Sequence, residues 1–406
     1  MTKLTFMHTG DEHLDATTHG TLNATTGRNT LWESNQAVMS HLVTVAIERR
    51  VDAFISAGDS FKNGAPSQEA LLMFADAYAP LGEAGIPLVI LDGNHNRNGV
   101  PSDHRSAIHV LAQMLRARGT TVHVVSDPQL VRLESGLQVA ALPWMSKNQI
   151  LSDLGKLDAK HEESDRIVSD HGLETLTQLT AEADSTSPLI IASHVTVDDL
   201  RLDAVTEGFK RGSEVDAAHL FSEPVLDRKK LEQLPFSYGA LSHIHTPQKV
   251  GAKLWYAGSP NRLTFTDMRD AKGGNLVTVD SDGTLTVERI ATPARVMTSI
   301  DLDDEAHTTE LAALEAGTLV QLHLATGEPE VPRSIRKAIA SAGAILADTK
   351  PRPKPREVTA PRVSIPEKTD PQDALRTWAM HELPAHINLD HLLSAAENLT
   401  VDGGKK

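Results

Sequence analysis

Apolar residues fall into two rhythms along the first half of the chain: short runs of strand length, and longer stretches with apolar positions at helical spacing. Residues 4–8 are a run of the first kind, and LWESNQAVMSHLVTVAIERR then sets Val38, Leu42, Val45 and Ala46 at helical spacing. VDAFISAGD supplies a second strand and SQEALLMFADAYAPLG a second helix, with Ser67 placed to cap its first turn. PLVILDGNH is a third strand, bounded by Pro87 and Gly93, and a helix follows near 106–118. Later strands are expected at 189–192, 237–241, 254–257, 276–280 and 285–290. Strand–helix alternation followed by a strand-rich stretch predicts a layered α/β core, with helices covering a sheet or a pair of sheets.

The pattern restarts after Ala294. TSIDL, LVQLHL and AILAD read as three strands, separated by helical segments at 305–314 and 332–342. KPRPKPREVTAPRVSIPEK follows, with prolines from Pro351 to Pro366 and an excess of Lys and Arg, the composition of an extended linker. DPQDALRTWAMHEL and NLDHLLSAAENL then suggest two short helices whose apolar faces include Leu375, Trp378, Leu392 and Leu393. The expected organisation is a main α/β domain at 1–294, a small α+β domain at 295–349, a basic Pro-rich linker at 350–369 and a helical tail at 370–406.

Composition narrows the chemistry. With no cysteine among 406 residues, a disulfide framework and a thiolate metal site are both excluded, so any metal must be held by nitrogen and oxygen. The start has no secretory apolar region, and no apolar run approaches the roughly 18 residues of a membrane span. A cytoplasmic location without membrane contact is therefore expected. The net charge of −15 argues against coating nucleic acid by bulk electrostatics. A nuclease remains compatible, because a carboxylate-rich site with bound divalent ions reverses the local sign.

Polar residues suited to metal binding gather where strands end. The first strand runs into GDEH, giving Asp11 and His13; the second into AGDSF, giving Asp59; the third into GNH, giving Asn94 and His95. PLIIASH ends in His194 and SYGALSHIH in His243 and His245. The carboxyl ends of strands are where open α/β sheets bind ligands. Each match taken singly also reads as a turn or a helix cap. Taken in order, they supply enough donors for two metal ions sharing one carboxylate, with one histidine left over.

This ordered set resembles the signature of the calcineurin-like metallophosphoesterases. YGALSHIHTPQ followed by WYAGSPNRLTF, with the order of large domain, small domain and helical tail, is similar to the SbcD-type nuclease subunit of DNA double-strand-break repair complexes. The resemblance implies a metallophosphoesterase sheet core flanked by helices, a capping domain at 295–349 and a partner-binding tail. It implies that Asp11, His13 and His245 hold one divalent ion and Asn94, His194 and His243 a second, with Asp59 bridging and Mn²⁺ as activator. His95 would sit off the metals as the catalytic residue, positioning the phosphate and protonating the leaving oxygen. The implied activity is a Mn²⁺-dependent 3′-to-5′ DNA exonuclease that also cuts near ends or hairpins. The resemblance also implies a homodimer, and a separate SMC-like ATPase as partner, since the chain has no G-x-x-x-x-G-K-[ST] phosphate loop and no long heptad run of its own.

Three positions depart from the family pattern: Asn96 where an acidic residue usually follows Gly-Asn-His, Lys62 where many members have His, and Ser242 where Gly is common. A neutral amide at 96 accepts a hydrogen bond but cannot stabilise an imidazolium as a carboxylate does, and a lysine at 62 is a poor proton shuttle near neutral pH. Lys62 and Asn96 are thus expected to be auxiliary site residues. Two competing readings keep the residues and change the role: hydrolysis of a small phosphodiester or phosphoprotein, or a weakly active scaffold that binds DNA ends. The other histidines, His41, His109 and His323 among them, are read as surface or core residues.

Overall fold

The computed structural model describes residues 3–97, 105–200, 224–280, 283–352, 370–383 and 387–397. The chain divides into two compact units, Met1–Pro351 and Arg352–Lys406. The first unit begins β1 (Leu4–Thr9), α1 (Thr30–Glu48), β2 (Ala53–Ser56), α2 (Gln68–Tyr78), α3 (Pro80–Glu83), β3 (Leu88–Leu91), α4 (Asn94–Arg97), α5 (Ala107–Arg116) and β4 (Val122–Val125). It continues with β5 (Gln129–Arg132), β6 (Gln138–Leu142), α6 (Lys147–Asp153), α7 (His161–Ala181), β7 (Leu189–His194), β8 (Thr196–Val197), β9 (Val225–Leu226) and α8 (Arg228–Leu231). β10 (Tyr238–Ser242), β11 (Gln248–Val250), β12 (Leu254–Tyr256), β13 (Gly273–Val279) and β14 (Leu285–Ala291) come next. The unit closes with β15 (Met297–Asp301), α9 (His307–Ala312), β16 (Leu319–His323), α10 (Arg333–Ser341) and β17 (Ile345–Lys350).

Two six-stranded sheets, ordered β14-β13-β1-β2-β3-β4 and β11-β12-β10-β7-β6-β5, form the centre. Period-two side-chain alternation explains how they stack. On β1, Leu4 and Phe6 join one core while Met7 joins another, and β3 sends Val89 and Leu91 one way, Leu88 and Ile90 the other. On β7, Ile190 and Ala192 meet the first sheet's inner face, and Leu189 and Ile191 turn outward. Strands apolar on both faces need cover on both. α1, α2 and α5 supply it for the first sheet through Val38, Leu42, Phe74, Ile108 and Leu111; α6 and α7 supply it for the second through Leu151, Val168 and Leu176. The result is a four-layer α/β/β/α sandwich, so the pair of sheets is the arrangement present.

Helix starts follow local chemistry. Asn29 caps α1 by accepting the Leu31 N–H, and Ser67 caps α2 by accepting the Ala70 N–H. β4, β5, β6, α6 and α7, which no clear periodicity announces, fill 122–181. β1, β2, β3 and β4 run parallel, as do β6, β7, β10 and β12, with antiparallel strands β13, β14, β5 and β11 at the flanks.

The segment after Ala294 forms a small parallel sheet, β15-β16-β17, crossed by α9 and α10 over a core of Ile300, Leu311, Val320, Leu322 and Ile339. In the second unit, α11 (Pro371–Glu382) packs on α12 (Leu389–Glu397). Within the expected linker and tail, 353–369, 384–386 and 398–406 lie outside the described residues. Among the described residues no helix is long and apolar enough to cross a membrane.

Candidate metal centre

Five parallel strands, three from one sheet and two from the other, deliver polar residues from their carboxyl ends to one buried place. Asp11 and His13 follow β1, Asp59 follows β2, Asn94 and His95 open α4 after β3, His194 ends β7, and His243 and His245 follow β10. The loops are held against each other by backbone bonds: Asp11 N–H donates to Gly58 O, His13 N–H to Asp59 O and Leu14 N–H to Ser60 O, at 2.9, 3.0 and 3.0 Å. The turns are sharp. Asp11, His13, Asp59 and His243 have φ of 51, 42, 53 and 99°, a region that costs side-chain-bearing residues on the order of 1–3 kcal/mol each and clusters at functional sites. Gly93 is required by crowding, since a Cβ there would lie 2.1 Å from Asp59 Oδ1 and 2.5 Å from its backbone nitrogen.

The donor atoms converge. His13 Nε2 and His245 Nε2 are 3.1 Å apart, and His194 Nε2 is 3.0 Å from Asn94 Oδ1. Asp59 stands between these pairs, with Oδ2 3.8 Å from His13 Nε2 and 3.4 Å from His194 Nε2. The rings of His194 and His243 meet edge to face at 5.1 Å. Among the described residues three metal-competent groupings emerge: Asp11, His13 and His245; Asp11, Asp59 and His194; and His13, Asp59 and His95. Imidazole, carboxylate and amide donors without sulfur suit a divalent first-row ion, so the residues present fit one.

Charge within the cluster points the same way. Burial works against ionising Asp59, yet the imidazoles of His194, His13 and His95 outweigh it and hold the carboxyl well below the usual range. Burial likewise opposes a charge on His194, but the Asp59 carboxylate, with Asp11 beyond it, pushes its pKa up to about 9. The cluster thus demands positive charge, which a divalent ion supplies while displacing the proton. Glu12 behaves oppositely: burial, against hydrogen bonds from Ser56 and Ser60, pushes its carboxyl up to about 8.

Both residues expected to be auxiliary adjoin His95. Asn96 Oδ1 accepts the Gly93 N–H at 3.4 Å. The backbone carbonyl of Lys62 lies 3.0 Å from His95 Nδ1. Ser242 is accommodated because Gly10 faces it, where a Cβ would sit 2.3 Å from Ser242 Oγ.

Two residues beyond the motifs shape the site. Trp144, after β6, lies against His194 and His243 with ring centroids 6.1 and 5.4 Å away. It follows its strand as the metal-competent residues follow theirs, but an indole is no metal donor, so the polar strand-end pattern passes it over. Lys272 is buried and donates to His245 O, Ser259 Oγ, Asp270 Oδ2 and Asp267 Oδ1 at 3.0, 2.8, 2.9 and 3.2 Å. Nothing in DMRDAKGG marks that lysine as an interior residue.

The fold and these converging strand ends define a metal-dependent hydrolase of phosphate esters. Residues 4–247 match the family described as calcineurin-like phosphoesterase, and the chain belongs to that family. It is 27% identical over 308 residues to the SbcD component of the SbcCD nuclease of Escherichia coli K12, covering 71% of this chain and 68% of that one. Against the corresponding SbcCD nuclease component of Bacillus subtilis strain 168 it is 26% identical over 292 residues, covering 67% of this chain and 65% of the other.

Proposed function

We propose that this protein is a Mn²⁺-dependent DNA nuclease of the SbcD type, a 3′-to-5′ exonuclease that also cuts near ends or hairpins. The observation that carries the reading is the buried convergence of donors from both sheets around Asp59, with His95 beside them, in a chain similar to two nuclease subunits. In this reading Asp11, His13 and His245 would hold one ion and Asn94, His194 and His243 the other, with Asp59 shared; its Oδ2 lies within 3.8 Å of a histidine of each set. Divalent ions held there would supply a nucleophile at neutral pH and charge to offset the phosphate oxygens.

The side chains do the rest. His95 Nδ1 is engaged by the Lys62 carbonyl, which leaves Nε2 to meet a phosphate or leaving oxygen and to carry the proton. Asp59 also accepts the His95 N–H at 2.9 Å, so the bridging carboxylate and the proton carrier are set by one contact. The net charge of −15 fits a protein that recognises phosphates at the site and duplex shape elsewhere.

The domain limits 1–294 and 295–349 separate this catalytic core from a capping domain that fits the bulk of a duplex better than that of a small phosphodiester. The linker at 350–369 and tail at 370–406 are assigned to an SMC-like ATPase, which the half-exposed Trp378 and exposed Met380 of α11 suit. A homodimer through the early helices completes the assembly. The test is degradation of an end-labelled linear duplex with and without Mn²⁺, alongside Asp59→Ala and a cyclic nucleotide as substrate. Label release that needs both Mn²⁺ and Asp59 is expected. Preference for the cyclic nucleotide would overturn the nuclease assignment.

A further inference from the structure

The His95 imidazole is held by a carbonyl, and a carbonyl can only accept. The 3.0 Å approach of Nδ1 to Lys62 O therefore keeps a proton on Nδ1 and makes Nε2 the atom that exchanges a proton with the substrate. That choice depends on where the Lys62 carbonyl sits. Backbone bonds join Asp11, His13 and Leu14 of one site loop to Gly58, Asp59 and Ser60 of the other. The next link is a side chain. Asp15, buried directly after Leu14, accepts the Lys62 N–H with Oδ1 at 2.5 Å and the Asn63 side-chain amide with Oδ2 at 3.2 Å. Asn96, the neighbour from which support for His95 was expected, is turned to the Gly93 N–H.

We propose that Asp15 is a positioning residue for His95: its carboxylate holds the Lys62 N–H on one side and the Asn63 side chain on the other, fixing the segment whose Lys62 carbonyl, in the peptide between them, keeps a proton on His95 Nδ1. This rests on the reading of His95 as the proton carrier. Burying a carboxylate beside a loop is costly unless it accepts hydrogen bonds, and both of its oxygens here accept from the one segment that carries the His95 partner. The relay substitutes a neutral carbonyl for an acidic partner. It selects the tautomer without adding charge to the site.

Asp15→Ala, Asp15→Asn and His95→Asn test it in the full-length protein. Asparagine keeps an acceptor for the Lys62 N–H; alanine keeps none. In Asp15→Ala, kcat should fall ~10- to 100-fold, the range for losing a residue that orients a site group, with KM within about threefold of the unmodified protein and Mn²⁺ stoichiometry unchanged. Asp15→Asn should restore kcat to within about threefold of it. The second readout needs neither metal nor activity: long-range ¹⁵N–¹H correlation of histidine-labelled apoprotein, with the His95 signal assigned by its absence in His95→Asn. An Nδ1–H pattern is expected in the unmodified protein and Asp15→Asn, and its loss in Asp15→Ala. An unchanged tautomer in Asp15→Ala overturns the proposal, as does a fall in Mn²⁺ stoichiometry and melting temperature that Asp15→Asn shares. If the unmodified protein cuts no DNA, kinetics move to bis(p-nitrophenyl) phosphate; the nuclease reading then falls while the tautomer decides Asp15 independently.

Discussion

A metal cluster and its proton carrier make separable demands on neighbouring residues. Asn94 and His95 are adjacent in sequence, yet Asn94 Oδ1 faces His194 while the His95 ring faces His13, edge to face at 4.8 Å, and the Lys62 carbonyl. The single turn α4 produces this divergence, because successive side chains on a helix point about 100° apart. His95→Asn should therefore lower hydrolysis by ~10²- to 10⁴-fold, the usual contribution of a general acid, with two Mn²⁺ per chain still bound. Steady-state hydrolysis measured beside metal content by mass spectrometry separates the two. Loss of metal in that variant would move His95 into the ligand set, which its grouping with His13 and Asp59 makes a meaningful alternative outcome.

At the scale of elements, the strands that end in Asp11, Asp59, Asn94, His194 and His243 were legible because each is a contiguous apolar run with its polar residue immediately after it. What joins them was not legible. The Asp15–Lys62 contact spans two loops, and Lys272 reaches His245 O from the approach to β13, so neither leaves a local pattern. Residues 122–181 were opaque for another reason: β5 is the four-residue edge strand QLVR, and α7 is dense in charged and polar residues, so neither shows a clean period. Lys272 makes the consequence measurable. Burial opposes ionising Asp267, but Lys272 and His245 hold its pKa below the ordinary value, so Lys272→Met strands a buried carboxylate. Removing one partner of a buried pair costs about 3–5 kcal/mol. The same change removes one of two donors on the His245 carbonyl, leaving the Ser259 N–H at 3.1 Å. Urea unfolding should show that loss, and titration with Mn²⁺ a weakening of ~10- to 100-fold. Full Mn²⁺ affinity in a destabilised variant would show that Lys272 supports the fold alone.

Across the whole molecule, the two sheets meet through an apolar interior into which a polar chain is set. His8 on β1 pairs with Asn275 across the β1–β13 ladder, and its Nδ1 lies 2.8 Å from the hydroxyl of Tyr238 on β10 in the other sheet. Arg289 donates to Asn275 Oδ1 at 2.9 Å and Asn275 Nδ2 to the Tyr238 oxygen at 3.2 Å, so the tyrosine proton is directed at His8. Every donor in the chain points toward an imidazole that must accept. Burial, reinforced by the Arg289 charge, accordingly lowers the His8 pKa to about 3, against 6.5 for an exposed ring. Below pH 6.5 the unfolded chain takes up a proton that the folded one refuses. The stability that His8 contributes is therefore complete above pH 6.5 and declines as pH falls from there toward 3, by about 2 kcal/mol at pH 5. His8→Gln removes the titrating ring and keeps a polar side chain between the sheets. Urea denaturation of the apoprotein at pH 8 and pH 5 should show a drop between the two pH values that is about 2 kcal/mol smaller in the variant. Equal drops would mean that the ring is protonated in the folded state, and that the Tyr238 hydroxyl accepts from it instead.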